Sequence, residues 1–314
     1  MSLLYNTTPN KELKRRLLLE SQKRITVSFY KYFTITNPYE FRDALYIILS
    51  NLKVFGRIYV AKEGINAQVS VPCGLYSKMK KMLYAFDPHM SSIHMNIALD
   101  DNGRSFWVLR LKVRQRIVAD GITDASFNSS DVGLHINAKT VNLLQDNGEA
   151  VFVDVRNYYE YQVGHFNKAL SIPGNTFREQ LSIIVDMLKK YKKQQIVLYC
   201  TGGIRCEKAS AWMRHHGYRN VCQIKGGVIN YVRQARLQGL PVYFLGKNFV
   251  FDERMSEYIS RDVLAHCNQC GISYDSYQNC KNTHCHKLFI QCPECADQFN
   301  NCCSAFCMQR LLVQ

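Results

Sequence analysis

The chain has 314 residues, 47% of them hydrophobic and 21% charged, with 40 Lys and Arg against 25 Asp and Glu for a formal net charge of +15. That length and balance fit two or three soluble domains with their own cores. They exclude a membrane-spanning chain, since no run approaches the roughly eighteen apolar residues of a membrane helix. Residues 1–20 also lack an apolar segment followed by a small-residue cleavage site, so a cytoplasmic protein with no membrane association is expected.

Residues 1–24 are polar and basic and read as a helical or loosely ordered lead-in. Strand patterning begins at 25–33, and Asn37-Pro38 opens a helix to about residue 52, with the proline near its first position. Residues 54–60 and 65–71 read as strands joined by the turn at Lys62-Glu63-Gly64, followed by an amphipathic helix over 75–86 and a strand over 93–99. The order β-α-β-β-α-β predicts a ferredoxin-like domain over residues 1–120.

Residues 107–117 alternate cleanly, with Trp107, Leu109, Leu111, Val113 and Ile117 on one face. Arg110, Lys112, Arg114 and Arg116 fall on the other, a cationic row suited to the phosphates of a single RNA strand, although solvated strand faces are often charged too. A polar linker over 121–135 separates this domain from the next.

From 136 to 245, helices alternate with strands, as in a doubly wound parallel α/β domain. The predicted order is a helix over 136–144, a strand over 151–155, a short strand near 169–173, and a helix over 177–191. A strand over 196–199, a helix from about 207, a strand over 220–224 and a helix over 228–238 complete it. Between the strand and helix near residue 200 lies Cys200-Thr201-Gly202-Gly203-Ile204-Arg205. Converging backbone N–H groups, the positive end of a helix and a guanidinium all favour an anion there, so Cys200 is expected to have a lowered pKa. Four residues between cysteine and arginine leave a smaller cradle than the five of a phosphatase loop, which suits a sulfur atom better than a phosphate. Cys206 is a candidate resolving thiol, against the alternative of an inert core cysteine.

Nine of the 13 cysteines lie between 267 and 307. Clustering of this kind in a chain without secretory features points to metal before disulfides. Two C-x2-C pairs, Cys267/Cys270 and Cys292/Cys295, predict a structural zinc site, with a second drawn from Cys280, Cys285, Cys302, Cys303 and Cys307 in the region 246–314. A metal-free thiol cluster and an iron–sulfur cluster are the alternatives.

Asp154-Val155-Arg156 with Glu160, Gly164-His165-Phe166, Ala169, Ile172-Pro173, the Tyr199-Cys200 to Arg205 loop and Gly226-Gly227 together resemble a rhodanese domain. That resemblance implies a persulfide on Cys200, cradled by Thr201, Gly202, Gly203, Ile204 and Arg205, with Asp154, Arg156 and Glu160 holding the neighbouring turns. The longer string from Cys200 to Ser210, the N-terminal domain with Glu63-Gly64-Ile65-Asn66, and the cysteine-rich tail are similar to the rhodanese-containing tRNA uridine-34 hydroxylases. This wider resemblance implies oxygen-dependent conversion of the wobble uridine in a tRNA anticodon loop to 5-hydroxyuridine. Molecular oxygen is then a co-substrate, and no flavin, haem or nucleotide cofactor is evident. Tyr158, Tyr159 and Tyr161 are candidates for stacking the unstacked base. The residues alone are equally compatible with a rhodanese-type sulfurtransferase that passes persulfide sulfur from thiosulfate or another donor to an acceptor. Oligomeric state is not legible.

Overall fold

The computed structural model describes residues 6–20 and 22–312. The lead-in contains helix α1 (Asn10–Leu19); the remainder of that expectation at residues 1–5 and 21 lies outside the described residues. Then follow β1 (Arg24–Tyr32), α2 (Pro38–Asn51), β2 (Phe55–Ala61), β3 (Gly64–Pro72), α3 (Tyr76–Phe86), β4 (Met95–Ile97) and β5 (Leu109–Val113). Asn37 caps α2 by accepting from the Tyr39 and Glu40 N–H groups, and Pro38 takes the first turn, where no amide hydrogen is needed.

The five strands form one sheet in the order β4-β1-β3-β2-β5, the ferredoxin-like arrangement with β5 added parallel to β2. The strand period of two divides this sheet cleanly. Val27 and Phe29 of β1 join Leu45, Leu49, Met79 and Leu83 of the two helices in a buried core. Thr26, Ser28 and Tyr30 point to the opposite, helix-free face. The fifth strand is shorter than the alternating run: pairing with β2 stops at Val113, so Arg114 and Arg116 lie beyond it.

After an irregular stretch come β6 (Leu134–Ile136), α4 (Ala138–Asn147), β7 (Ala150–Asp154), α5 (Tyr158–Val163), β8 (Gly164–Phe166), β9 (Leu170–Ser171) and α6 (Phe177–Met187). They are followed by β10 (Gln195–Tyr199), α7 (Ile204–His215), β11 (Val221–Ile224) and α8 (Gly227–Leu237). A parallel sheet, ordered β6-β11-β10-β7-β9, forms the centre of this doubly wound unit. Several boundaries differ from the sequence reading, among them the end of α6 at Met187 where the expected helix ran to 191. Residues 134–136 pair with β11 as a strand before the helix starts. Helix α7 begins at Ile204, three residues before Glu207, which places Arg205 and Cys206 in its first turn.

The last part comprises β12 (Phe244–Phe249), β13 (Ser256–Tyr258), β14 (Tyr277–Asn279), β15 (Leu288–Ile290), α9 (Pro293–Gln298) and α10 (Ala305–Leu312). β12 pairs back onto β8, tying this part to the parallel-sheet unit.

The helix-free face of the first sheet lies against the start of α7. Tyr30 Oη donates to Glu207 Oε1 at 2.8 Å and Tyr32 Oη to the Ile204 carbonyl at 3.3 Å. Asn96 Nδ2 donates to the Gly226 carbonyl at 3.0 Å. The firmest tie is ionic: Lys208 Nζ, almost wholly buried, sits 2.6 Å from Glu63 Oε2 and 3.2 Å from Asp120 Oδ2. Glu63 also accepts from the Ile117 N–H at 2.9 Å, so the Glu63-Gly64 turn reaches both the other unit and the chain that leads to it.

Removing one member of a buried ionic cluster strands the others without compensation, at about 3–5 kcal/mol. Lys208→Met is therefore expected to lower the urea unfolding midpoint at neutral pH, and an unchanged midpoint refutes the role of Lys208 as a tie between the two units.

Candidate active site

Cys200 lies at the C-terminal end of β10, fully buried, where parallel sheets present ligands. The chain then turns through Gly203, whose φ of +100° is in the region open to glycine. This turn brings the Gly203 N–H to 3.1 Å from Cys200 Sγ. From below, the loop is braced by the start of α8: the Val228 N–H donates to the Cys200 carbonyl at 2.9 Å and the Ile229 N–H to the Thr201 carbonyl at 3.2 Å. Gly227 permits that approach, since a Cβ there would lie 2.4 Å from the Cys200 carbonyl oxygen.

Arg205 does not lie free in the cradle. Its guanidinium makes two parallel bonds, at 2.6 and 2.7 Å, to the carboxylate of Glu160, which is fully buried on α5. Thr201 Oγ1 donates to the same carboxylate at 3.3 Å. Asp154 and Arg156 form a second buried pair at 2.6 Å, and Arg156 also donates to the Gly164 carbonyl. Together these bonds hold the loop, the strand end and the 154–164 turns as one unit.

Burial by itself raises the Cys200 pKa, but the Cys206 S–H, the Arg205 charge and the backbone N–H groups of Cys206 and Arg205 outweigh it and bring the thiol down to about 6. At neutral pH Cys200 is thus a thiolate. Cys206 behaves oppositely: its own burial, the bond it donates to Cys200 and the Cys200 charge push it well above the usual thiol range. One sulfur of the pair holds the charge and the other holds the proton.

Cys200 opens on a cavity of about 620 Å³ between the three parts of the chain. Thr201, Gly202, Ile204 and Arg205 line it beside Cys200. Ser28, Tyr30, Arg57, Tyr59 and Gln68 of the first sheet form the facing wall, and Phe251, Arg254 and Glu257 close it from the C-terminal part. Tyr158, Tyr159 and Tyr161 are not in the lining. Tyr159 packs edge-on against Phe249 at 5.0 Å, Tyr161 stacks on His165 at 3.9 Å, and Tyr158 is exposed. Short aromatic runs carry no signal that separates core from surface, whereas Tyr30 and Tyr59 were legible only as members of alternating strands.

The cationic row divides. Arg110 and Lys112 are exposed on β5 and share the sheet face of Arg57 and Tyr59, their partners in register. Arg114 is exposed past the strand end, 5.6 Å from the Tyr59 ring. Arg116 folds back, bonding Asp120 at 3.1 Å and the Ile122 carbonyl at 2.8 Å, so its charge is already matched.

Eight of the nine tail cysteines form two tetrads, Cys267/Cys270/Cys292/Cys295 and Cys280/Cys285/Cys303/Cys307, each with its sulfurs within 4.8 Å of one another. Sulfur separations of 3.6 Å (Cys270–Cys292) and 3.7 Å (Cys285–Cys303 and Cys303–Cys307) are close to the edge, about 3.8 Å, of a tetrahedron with ~2.3 Å zinc–sulfur bonds. Backbone N–H groups outweigh burial and bring Cys267 to about 6 and Cys280 to about 7, which readies one thiolate in each tetrad. Cys302 is outside both: it is buried, and its sulfur turns to the Asn300 carbonyl at 3.7 Å. Adjacent cysteines point in different directions, so Cys303 joins the tetrad and Cys302 packs.

Three family models match the chain: the UPF0176 acylphosphatase like domain over residues 24–117, the Rhodanese-like domain over 137–234, and Rhodanase C-terminal over 245–308. A tRNA uridine(34) hydroxylase of Erwinia tasmaniensis is 65% identical over 313 residues, which span 100% of this chain and 89% of that protein. Proteins of the same name from Enterobacter sp. and Salmonella typhi are each 59% identical over 313 residues, spanning 100% of this chain and 90% and 89% of theirs.

The state of Cys200 can be read directly. Alkylation by iodoacetamide, followed at the Cys200 peptide by mass spectrometry, is expected to rise with pH about a midpoint near 6. Thiolate is present above that midpoint and lost below it. A midpoint in the ordinary thiol range of about 8.5 refutes the activated site.

Proposed function

The chain belongs to the tRNA uridine(34) hydroxylase family, and from that premise we propose that Cys200 supplies the reactive sulfur for oxygen-dependent hydroxylation of wobble uridine at C5. The observation that carries this reading is the thiolate at the foot of a cavity walled by a polar sheet with a basic edge. A uracil ring reaches such a cavity only when its nucleotide leaves the stack of the anticodon loop, the general route by which enzymes act on a base. In the overall reaction one oxygen atom of O2 replaces the C5 hydrogen as hydroxyl. The other leaves as water, taking two electrons and two protons from a thiol-class reductant.

The residues of the loop have distinct tasks in this scheme. Thr201, Gly202, Gly203, Ile204 and Arg205 cradle the sulfur, as thiolate or as persulfide, through backbone N–H groups and the charge of Arg205. Cys206 keeps its proton beside the charge of Cys200. When Cys200 is oxidised to a neutral sulfur, the negative charge that holds the Cys206 proton disappears, and Cys206 becomes a better resolving nucleophile. Arg110, Lys112 and Arg114 guide the RNA backbone, with Arg116 contributing through the turn it forms with Asp120. The work takes place in the cytoplasm, where tRNA is the polyanion that a chain of net charge +15 suits.

Each thiol tetrad would hold one zinc ion through its four cysteines, a full ligand set that would make the metal structural. Zinc supplies cross-linking of the tail. The hairpin β14–β15 then buttresses the active site through Tyr277, whose hydroxyl donates to the Tyr159 carbonyl at 2.9 Å, one residue before Glu160.

In cells lacking the gene, the wild-type chain is expected to restore 5-hydroxyuridine-derived nucleosides at position 34, and Cys200→Ser is expected to restore none, as read by nucleoside mass spectrometry. Full restoration by Cys200→Ser sinks the assignment. High-turnover thiocyanate formation from thiosulfate and cyanide, with no change in tRNA, assigns a sulfurtransferase instead. Elemental analysis of the purified chain is expected to find two zinc ions per molecule; one or none contradicts the paired structural sites.

A further inference from the structure

The wall of the cavity opposite the Cys200 loop carries a polar row that the reaction scheme leaves unassigned. Asn96 on β4 stands in register with Ser28 on β1, Ser28 with Gln68 on β3, Gln68 with Arg57 on β2, and Arg57 with Arg110 on β5. One residue from each of five strands thus forms a line across the helix-free face. Its inner end is anchored to the active loop, since Asn96 Nδ2 donates to the carbonyls of Gly226 at 3.0 Å and Gly202 at 3.4 Å. Burial falls along the line, from Asn96, which is 5% exposed, through half-buried Ser28 and Gln68, to exposed Arg57 and Arg110. With strands about 4.8 Å apart, Gln68 lies roughly 10 Å along the row from Asn96.

Gln68 and Arg57, like the small Ser28 beside them, have nothing to bond. Among the described residues, neither side chain makes a hydrogen bond or an ion pair, and both line the cavity that contains Cys200. Asn96, Tyr30 and Asn66 around them are all engaged. A neutral amide and a guanidinium side by side offer donors from the guanidinium, and one acceptor with two donors from the amide. The Watson–Crick edge of uracil presents acceptor, donor, acceptor at O4, N3–H and O2. The glutamine carbonyl matches N3–H, and the remaining donors match the two carbonyl oxygens. With Arg57 on the O4 side and Gln68 at N3, cytosine would set its exocyclic amine against a group that has only donors and its N3 lone pair against the glutamine carbonyl.

We infer that Arg57 and Gln68 form a base-reading pair that selects uracil in the Cys200 cavity over cytosine. This inference rests on the proposed tRNA reaction but assigns a specificity that the reaction alone does not require. It also divides the basic row: Arg57 reads the base, while Arg110, next to it at the sheet edge, faces the backbone of the same RNA.

The test uses the full-length chain and fluorescent anticodon stem-loop RNAs that differ only in U34 or C34, with affinity measured by anisotropy at fixed salt. The wild-type chain is expected to prefer U34 by about tenfold, within the range of one good bidentate base contact. Gln68→Ala and Arg57→Ala are each expected to abolish the preference by weakening U34 more than C34. Both residues lie at the surface of the wall, and unchanged Cys200 alkylation kinetics will show that the site is still assembled. A variant that keeps the wild-type preference overturns the inference. So does equal weakening of both RNAs by Arg57→Ala, which makes Arg57 a phosphate contact, and so does a wild-type chain with no preference. Each of these results leaves the outcome for Cys200→Ser in cells untouched, so the failure of the base-reading pair is separable from the failure of the proposed reaction.

Discussion

A carboxylate buried without water needs a cation, and in this chain the pairing of Glu160 with Arg205 decides where the active loop can go. Arg205 occupies the first turn of α7, and Glu160 lies on α5, 45 residues earlier. Their two parallel bonds fix the helix start relative to the strand end, and the intervening residues have little choice but to curl with their N–H groups inward. Replacing either partner leaves an uncompensated charge in a site where a lone ion is very unfavourable. The same pair sets the electrostatics: Arg205 is neutralised enough to be buried, yet it still lowers the pKa of Cys200. Structure and reactivity therefore depend on one contact.

Around that contact the molecule is composite. The parallel sheet supplies the sulfur, the first domain supplies a polar wall and a basic edge, and the C-terminal part supplies the remaining side and a buttress behind Glu160. None of the three encloses the cavity alone. A single-domain rhodanese-like unit would leave Cys200 facing solvent on the side that Tyr30, Gln68 and Arg57 now cover. The first domain is thus part of the wall of the cavity that contains Cys200. It is attached through the buried Lys208, which pairs with half-buried Glu63 and buried Asp120.

Much of this was legible in the residues, for local reasons. Strand alternation and helix caps revealed the β-α-β-β-α-β order, and the spacing from Cys200 to Arg205 with two glycines identified an anion cradle. What escaped were pairings between distant residues. Nothing in the alternation around Arg116 indicates that it bends back to Asp120, or that pairing with β2 ends at Val113. Lys208 read as an ordinary helix residue, though it is among the most deeply buried cations in the fold. The cavity wall was invisible for a related reason: Gln68 and Arg57 become neighbours only when β2 and β3 pair, and single polar residues on separate strands look like solvated surface. Cysteine spacing pointed to thiol groups able to hold a metal in the tail but could not tell Cys302 from Cys303, since adjacent residues differ only in direction.

The two tetrads interleave along the chain. The first takes its ligands from 267–270 and 292–295, the second from 280–285 and 303–307. Neither can be completed while the other half of its ligands is still unsynthesised, and each loop closed by one ion contains half of the other site. The first set is complete in the chain at Cys295 and the second only at Cys307, so the two sites are completed one after the other along the sequence. Tyr277 lies in the loop between Cys270 and Cys292 and bonds the Tyr159 carbonyl on α5, so the segment that joins the halves of the first tetrad also braces the turn that carries Glu160.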